Sequence, residues 1–191
     1  MEEYKMKIHK DKLSFQKIDD HVSLIYHDMN VIRFWTPPLL VPYGVDENFG
    51  KYYIRCQTND DSPQHANLKK IIGKMESILK KKLEIEDSEL KPIYRRKIGN
   101  DDLIDIRLKQ IKSTLHVECE YENKRDSYLK TVLQIEPGSY VRIYLEIHGY
   151  WDHRNLDTNE KRDNSVGLIV NACKIKVLNQ MRNNEEDFIV V

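Results

Sequence analysis

Aromatic and cationic side chains stand side by side at several points of this chain. Tyr53 lies near Arg55, Tyr94 opens the run Tyr94-Arg95-Arg96-Lys97, Arg107 precedes Lys109, Arg142 precedes Tyr144, and Trp151 follows farther along. These residue types suit one kind of chemistry. A flat ring stacks on a nucleobase while a guanidinium or ammonium neutralises a phosphate, and stacking is worth roughly 1–3 kcal/mol per base. Neither contact needs a base code. Tyrosines flanked by charges are also what the solvated face of an ordinary sheet carries, so residue types alone leave both readings open. Trp35 is open in the same way between core and ligand, because it ends an apolar run.

Catalytic chemistry finds less support. His148 and His153 lie five positions apart with Asp152 beside the second, a spacing that any strand running into a charged loop can produce. Asp101, Asp102 and Asp105 would suit a metal-dependent nuclease, yet no matching basic or acidic motif accompanies them. P-loop, GxSxG and HExxH patterns are absent, and none of the seven glycines sits in a phosphate-cradling loop. Cys56, Cys119 and Cys173 form no CxxC pair and fall in apolar or alternating runs. That pattern predicts buried free thiols in a reducing compartment rather than a zinc site or a disulfide framework. The residues predict a binding protein with no cofactor, not an enzyme.

The elements that must position these side chains read mainly as strands. Leu13 to Trp35 is rich in Ile, Val, Tyr and Phe, with a turn signal at Asp28 to Asn30. Thr36-Pro37-Pro38 and Val41-Pro42-Tyr43-Gly44-Val45 form an extended edge or loop, since proline cannot donate to a ladder. Asn48, Phe49 and Gly50 turn the chain into Lys51 to Thr58, where Lys51, Tyr53, Arg55 and Gln57 share one face. One amphipathic helix is predicted near 64–83. Leu68, Ile71, Ile72, Met75, Ile78, Leu79 and Leu83 make a stripe at the ~3.6-residue period. Asp61 or Ser62 would cap the helix, with Pro63 in its first turn.

Strand patterns return at Ile104 to Leu108, His116 to Tyr121, Leu129 to Ile135, Val141 to Ile147 and Val166 to Leu178, with a turn at Pro137-Gly138. His153 to Ser165 reads as a polar loop. Several short strands with one inserted helix predict an OB-type β-barrel spanning 1–178, followed by a flexible acidic tail over 179–191.

Charge refines this picture. The chain has 191 residues, with 31 Lys and Arg against 31 Asp and Glu, and zero net charge argues at first against a nucleic-acid partner. Distribution matters more than the sum. Lys69, Lys70, Lys74, Lys80, Lys81 and Lys82 face only Glu76 in one stretch, and Lys91, Arg95, Arg96 and Lys97 cluster in another. Setting aside Glu185, Glu186 and Asp187 of the tail leaves 31 positive against 28 negative residues. The longest uncharged apolar stretch, Phe34 to Tyr43, is broken by three prolines and falls short of the ~20 residues of a membrane span. The first ten residues carry no apolar signal region, so an intracellular location is expected.

The order of the segments resembles the single-stranded DNA-binding proteins of nucleocytoplasmic large DNA viruses. Phe34-Trp35-Thr36-Pro37-Pro38, Val41-Pro42-Tyr43-Gly44-Val45, a strand and an amphipathic helix match the front half of that family. Leu90-Lys91-Pro92-Ile93-Tyr94-Arg95 resembles the segment after its helix. Ile135-Glu136-Pro137-Gly138-Ser139-Tyr140-Val141 resembles its turn into a long strand that ends in Gly149-Tyr150-Trp151. Val166-Gly167-Leu168 through Lys174-Ile175-Lys176-Val177 resembles its closing strand.

The likeness covers roughly residues 30 to 178 and implies an OB-type barrel that coats single strands during viral replication, in the host cytoplasm or nucleus. Its plan is similar to that of phage replication proteins, whose acidic tails end near an aromatic residue as Glu185, Glu186, Asp187 and Phe188 do. Such a tail implies replication proteins as further partners. This chain departs in carrying three apolar residues after Phe188 and a heavier charged loop at 153–165. The resemblance and the residues together predict sequence-independent binding of single-stranded DNA through Tyr53, Arg55, Tyr94, Arg95, Arg96, Lys97, Arg107, Lys109, Arg142, Tyr144 and Trp151, possible self-association included. The competing expectation is a non-enzymatic structural or adaptor module whose basic patches rim a protein interface.

Overall fold

Alternating apolar residues build most of the strands, and short turn sequences set where the chain reverses. A computed structural model of the chain describes residues 8–59, 61–96, 102–122, 131–154 and 165–178, with Arg95 and Arg96 described as backbone alone. The strands begin with β1 (Leu13–Lys17), β2 (Val22–His27), β3 (Asn30–Trp35), β4 (Leu39–Val41), β5 (Val45–Asn48) and β6 (Lys51–Thr58). The helix α1 (Pro63–Leu83) follows, then β7 (Tyr94–Arg96), β8 (Asp102–Leu108), β9 (Gln110–Ile111), β10 (Thr114–Leu115) and β11 (Glu118–Tyr121). Two long strands, β12 (Ser139–Asp152) and β13 (Val166–Leu178), close the fold.

The pairing forms a ring. β12 pairs with β4, β4 with β6, β6 with β8, β8 in parallel with β13, and β13 back with β12. β3 and β4 run consecutively along β12 as one interrupted strand, with Trp35 opposite Tyr144 and Leu39 opposite Val141. The interruption is Thr36-Pro37-Pro38, where two prolines have no N–H to give. Thr36 repairs the gap. Its N–H donates to the Ile143 carbonyl at 2.8 Å, and its Oγ1 accepts from the Ile143 N–H at 2.9 Å. A ring with this connectivity, in which the third and last barrel strands lie parallel, is an OB-type barrel. β1, β2, β7 and β11 extend the sheet beyond it.

Inside the ring, one apolar cluster joins Ile32, Leu39, Ile54, Cys56, Ile104, Ile106, Leu108, Ile143, Leu145 and Ile175. The helix joins the same cluster through Leu68, Ile72, Met75, Ile78 and Leu79, the predicted stripe. Ser62 is its N-cap, accepting from the His65 N–H, and Pro63 stands in the first turn. His65 then ties α1 to the barrel. Its Nδ1 accepts from the Asn59 N–H at 2.7 Å, so Nε2 carries the proton shared with the Pro38 carbonyl at 2.8 Å.

The helix lysines are largely engaged by the protein itself. Lys69 pairs with Asp102 at 2.5 Å, Lys74 donates to the Ile8 carbonyl, Lys80 pairs with Asp87, and Lys82 lies over the Phe15 ring at 4.5 Å. The predicted strand from Leu129 to Ile135 is corrected. Residues 123–130 lie outside the described region, and Val132–Gln134 is a 3-10 turn. The Gln134 side chain accepts from the Thr131 N–H at 2.7 Å, and the Gln134 N–H returns to the Thr131 carbonyl at 3.0 Å. Local bonds of this kind displace a ladder.

Two glycines sit where β12 meets its neighbours. A Cβ on Gly149 would lie 2.0 Å from the Ser23 carbonyl oxygen of β2, whereas one on Gly167 would lie 2.6 Å from the Trp151 ring. The first obstacle is paired backbone and the second is a side chain that can turn. Gly149→Ala is therefore expected to cost about 3 kcal/mol and Gly167→Ala about 1 kcal/mol, by urea denaturation.

Candidate nucleic-acid interface

Strand alternation sends one set of side chains into the barrel and the other outward, and pairing register lines up the outward set. Residues directly opposite on paired strands share a face. One row runs Arg33 on β3, Glu146 on β12, Asn171 on β13, Arg107 on β8 and Tyr53 on β6, each opposite the next. A parallel row runs Trp35, Tyr144 and Lys174, and a third pairs Arg142 with Lys176. Arg55 faces Asp105 in the next row along β6 and β8.

Aromatic rings and cations thus stand in neighbouring rows on the outer surface of the barrel strands. Trp35 and Tyr144 lie with ring centroids 5.2 Å apart and planes tilted by 41°, and Trp35 is 45% exposed. The Arg142 Nε donates to the Thr36 carbonyl at 3.3 Å, which holds its guanidinium beside the proline break.

At the centre of the face is Glu146, whose side chain is only 1% exposed. Arg33 reaches it through Nη2 at 2.7 Å and Nε at 2.8 Å, Lys109 through Nζ at 3.1 Å, and the His148 Nδ1 lies 3.1 Å away. The Cys173 thiol donates toward it at 3.6 Å. Burial alone would push this carboxyl up. Hydrogen bonds and charge from Arg33 and Lys109 outweigh burial and bring it down to about 2. The carboxylate is permanently ionised at neutral pH and orients two cations of the face. Asp105 does the same for Arg55, in a fork with Nε at 2.6 Å and Nη2 at 3.2 Å.

Of the residues singled out in the sequence, Tyr53, Arg55, Arg107, Lys109, Arg142 and Tyr144 come together here. Tyr94 does not. It faces Ile104, an inward residue of β8, and packs against the core with Lys69 5.8 Å above its ring. Its hydroxyl is buried with no hydrogen-bond partner among the described residues, and burial raises its pKa. Trp151 sits at the far end of β12, seven residues from Tyr144 and on the order of 20 Å along the strand. Its ring covers Gly167 and lies 4.6 Å from that of His153. Arg95 and Arg96 continue β7 opposite Leu103 and Asp102, but their side chains, with Lys97 and the tail residues Glu185, Glu186, Asp187 and Phe188, lie outside the described residues.

Sequence reading missed Arg33, Glu146 and Lys174, and left Trp35 undecided. Alternation in Asn30–Trp35 carries a signal for two of them, since burial of Ile32 sends Arg33 and Trp35 outward. Asp102 and Asp105, candidate acids for a metal site, are instead held by Lys69 and Arg55.

The Glu146 cluster makes stability depend on pH. A carboxyl held below its ordinary 4.5 stabilises the fold above that pH and loses the contribution as pH falls toward 2. Two to three pH units correspond to on the order of 3 kcal/mol. Glu146→Gln is expected to lower stability at pH 7 by about 2 kcal/mol. Urea midpoints of variant and parent should converge as pH drops below 3.

No protein-family model matches the chain, and no curated protein matches it in sequence. Its backbone is similar to that of gp2.5, the single-stranded DNA-binding protein of bacteriophage T7, with a TM-score of 0.53 at 9% identity over 78% of this chain and 87% of that one. The single-stranded DNA-binding protein of bacteriophage Enc34, truncated at its C-terminus, aligns at a TM-score of 0.47 with 15% identity over 90% of this chain and 97% of that one. The Enc34 protein in complex with single-stranded DNA aligns at 0.45 with 18% identity, over 87% and 95%. At 9% identity, the likeness to the T7 protein is one of fold: an OB-type barrel with an added helix.

Proposed function

We propose that this chain binds single-stranded DNA, without base preference, along the outer face of β3, β12, β13, β8 and β6. One observation carries the reading: Trp35, Tyr144 and Tyr53 share neighbouring outward rows of the barrel strands with Arg33, Lys174, Arg107 and Arg142. In OB-type barrels the surface of the second and third strands, here β6 and β8, is where oligonucleotides lie. Fold likeness to a phage single-stranded DNA-binding protein supports it.

In this reading the cations neutralise phosphates while bases stack on the exposed rings. Glu146 takes no part in contact with DNA. It holds Arg33 and Lys109 in fixed positions, so less side-chain freedom is lost on binding. The protein coats strands rather than cutting them, as a non-enzymatic component of viral replication in the host cytoplasm or nucleus. Residues 1–178 form the binding domain, and 179–191 form a tail through which Glu185, Glu186, Asp187 and Phe188 contact replication proteins.

Titration of a labelled oligo-dT tests this. Binding should be tight near ~50 mM salt and fall steeply as salt rises, each neutralised phosphate adding about 0.7 to the slope. Arg107→Ala should reduce that slope by about 0.7, while Tyr144→Ala should weaken binding about tenfold with the slope unchanged. The chain has two tryptophans, and DNA should quench the fluorescence of Trp151→Phe but leave that of Trp35→Phe nearly unaltered. No binding at ~50 mM salt, with stable self-assembly by light scattering, would sink the proposal in favour of a structural module.

A further inference from the structure

The hairpin joining β5 to β6 carries a phenylalanine where turn chemistry asks for something else. Asn48 pairs with Lys51, leaving Phe49 and Gly50 as the two central residues, at φ +50° and +69°. Positive φ at both positions is the type I′ arrangement, which favours Asn-Gly because asparagine tolerates the left-handed region. A bulky side chain there is a true outlier. Nor does packing explain it, because Phe49 is 96% exposed. Strained backbone under an unburied ring is the pattern of a residue kept for contact with something else.

The hairpin's position indicates what that is. β6 runs from this turn directly to Tyr53 on the outer face, and Phe49 lies four residues earlier, roughly 13 Å along the strand. The apex is braced rather than free, since the Gln110 Nε2 donates to the Gly50 carbonyl at 3.0 Å. Gln110 follows Lys109, one of the cations held by Glu146. Apex and face therefore share a scaffold. Exposed Lys51 and Lys112 flank this end, and the exposed Asp46 of β5 stands directly opposite Tyr53.

We propose that Phe49 is a stacking residue for a base of the bound strand, extending the track from Tyr53 onto the hairpin apex. The proposal rests on the single-stranded DNA reading above and assigns a contact residue at the apex of the connection between the first two barrel strands. A ring on a braced apex meets a base at little entropic cost, and stacking on it tolerates any sequence.

Phe49→Asn separates this role from a structural one, because the two effects have opposite signs. Asparagine suits the turn better, so thermal stability should hold or rise. Oligo-dT affinity should drop about tenfold with an unchanged salt slope, since no cation is removed. Phe49→Trp should bind like the parent, and DNA should quench its added fluorescence. If the parent binds oligo-dT and Phe49→Asn binds equally well, the assignment of Phe49 is overturned while the function stands. A change of oligomeric state in Phe49→Asn with equal affinity overturns it too, in favour of self-association. If the parent fails to bind at all, the functional reading falls and takes this one with it.

Discussion

β12 is hydrogen-bonded along both edges, to β13 on one side and to β4, β3 and β2 in turn on the other. The parity of that pairing decides which residues enter the barrel and which reach its outer face. Val141, Ile143, Leu145 and Ile147 point inward, so Arg142, Tyr144, Glu146 and His148 point outward. A slip of one residue would bury the charged set and expose the apolar one. Thr36 and Gly149 protect the register at its weak points. Thr36 bridges a break made by two prolines, and Gly149 lets the β2 backbone approach more closely than any side chain would allow.

Once register is set, the face needs a way to hold cations without scattering them. It uses buried or half-buried carboxylates. Glu146 draws Arg33 from β3 and Lys109 from the link between β8 and β9, and Asp105 fixes Arg55. Each anion orders the cations around it, in a chain of zero net charge. Four of the helix lysines are also engaged within the fold, and α1 acts as a cover for the core.

Much of the architecture was legible in advance because strands and helices announce themselves through period. The stripe on α1, the alternation of β12 and the Ser62-Pro63 start all rest on local chemistry. Tyr94 and Trp151 show where that legibility stops. Both are aromatic residues beside charges, as Tyr53 and Tyr144 are, yet one lies under Lys69 and the other covers a glycine at the far end of β12. Nothing within a few positions of either residue distinguishes them from the tyrosines of the outer face.

By itself the sequence determined the element types, the inserted helix, the mixture of rings and cations, and the lack of familiar catalytic motifs. These follow from patterns shorter than one element. Only the tertiary structure decided which rings and cations share a face. That depends on pairings between residues far apart in the chain, such as Arg33 with Glu146 and Tyr53 with Arg107. It also decided the part played by Glu146, whose carboxylate stays charged in a buried place because Arg33 and Lys109, far apart in the chain, converge on it.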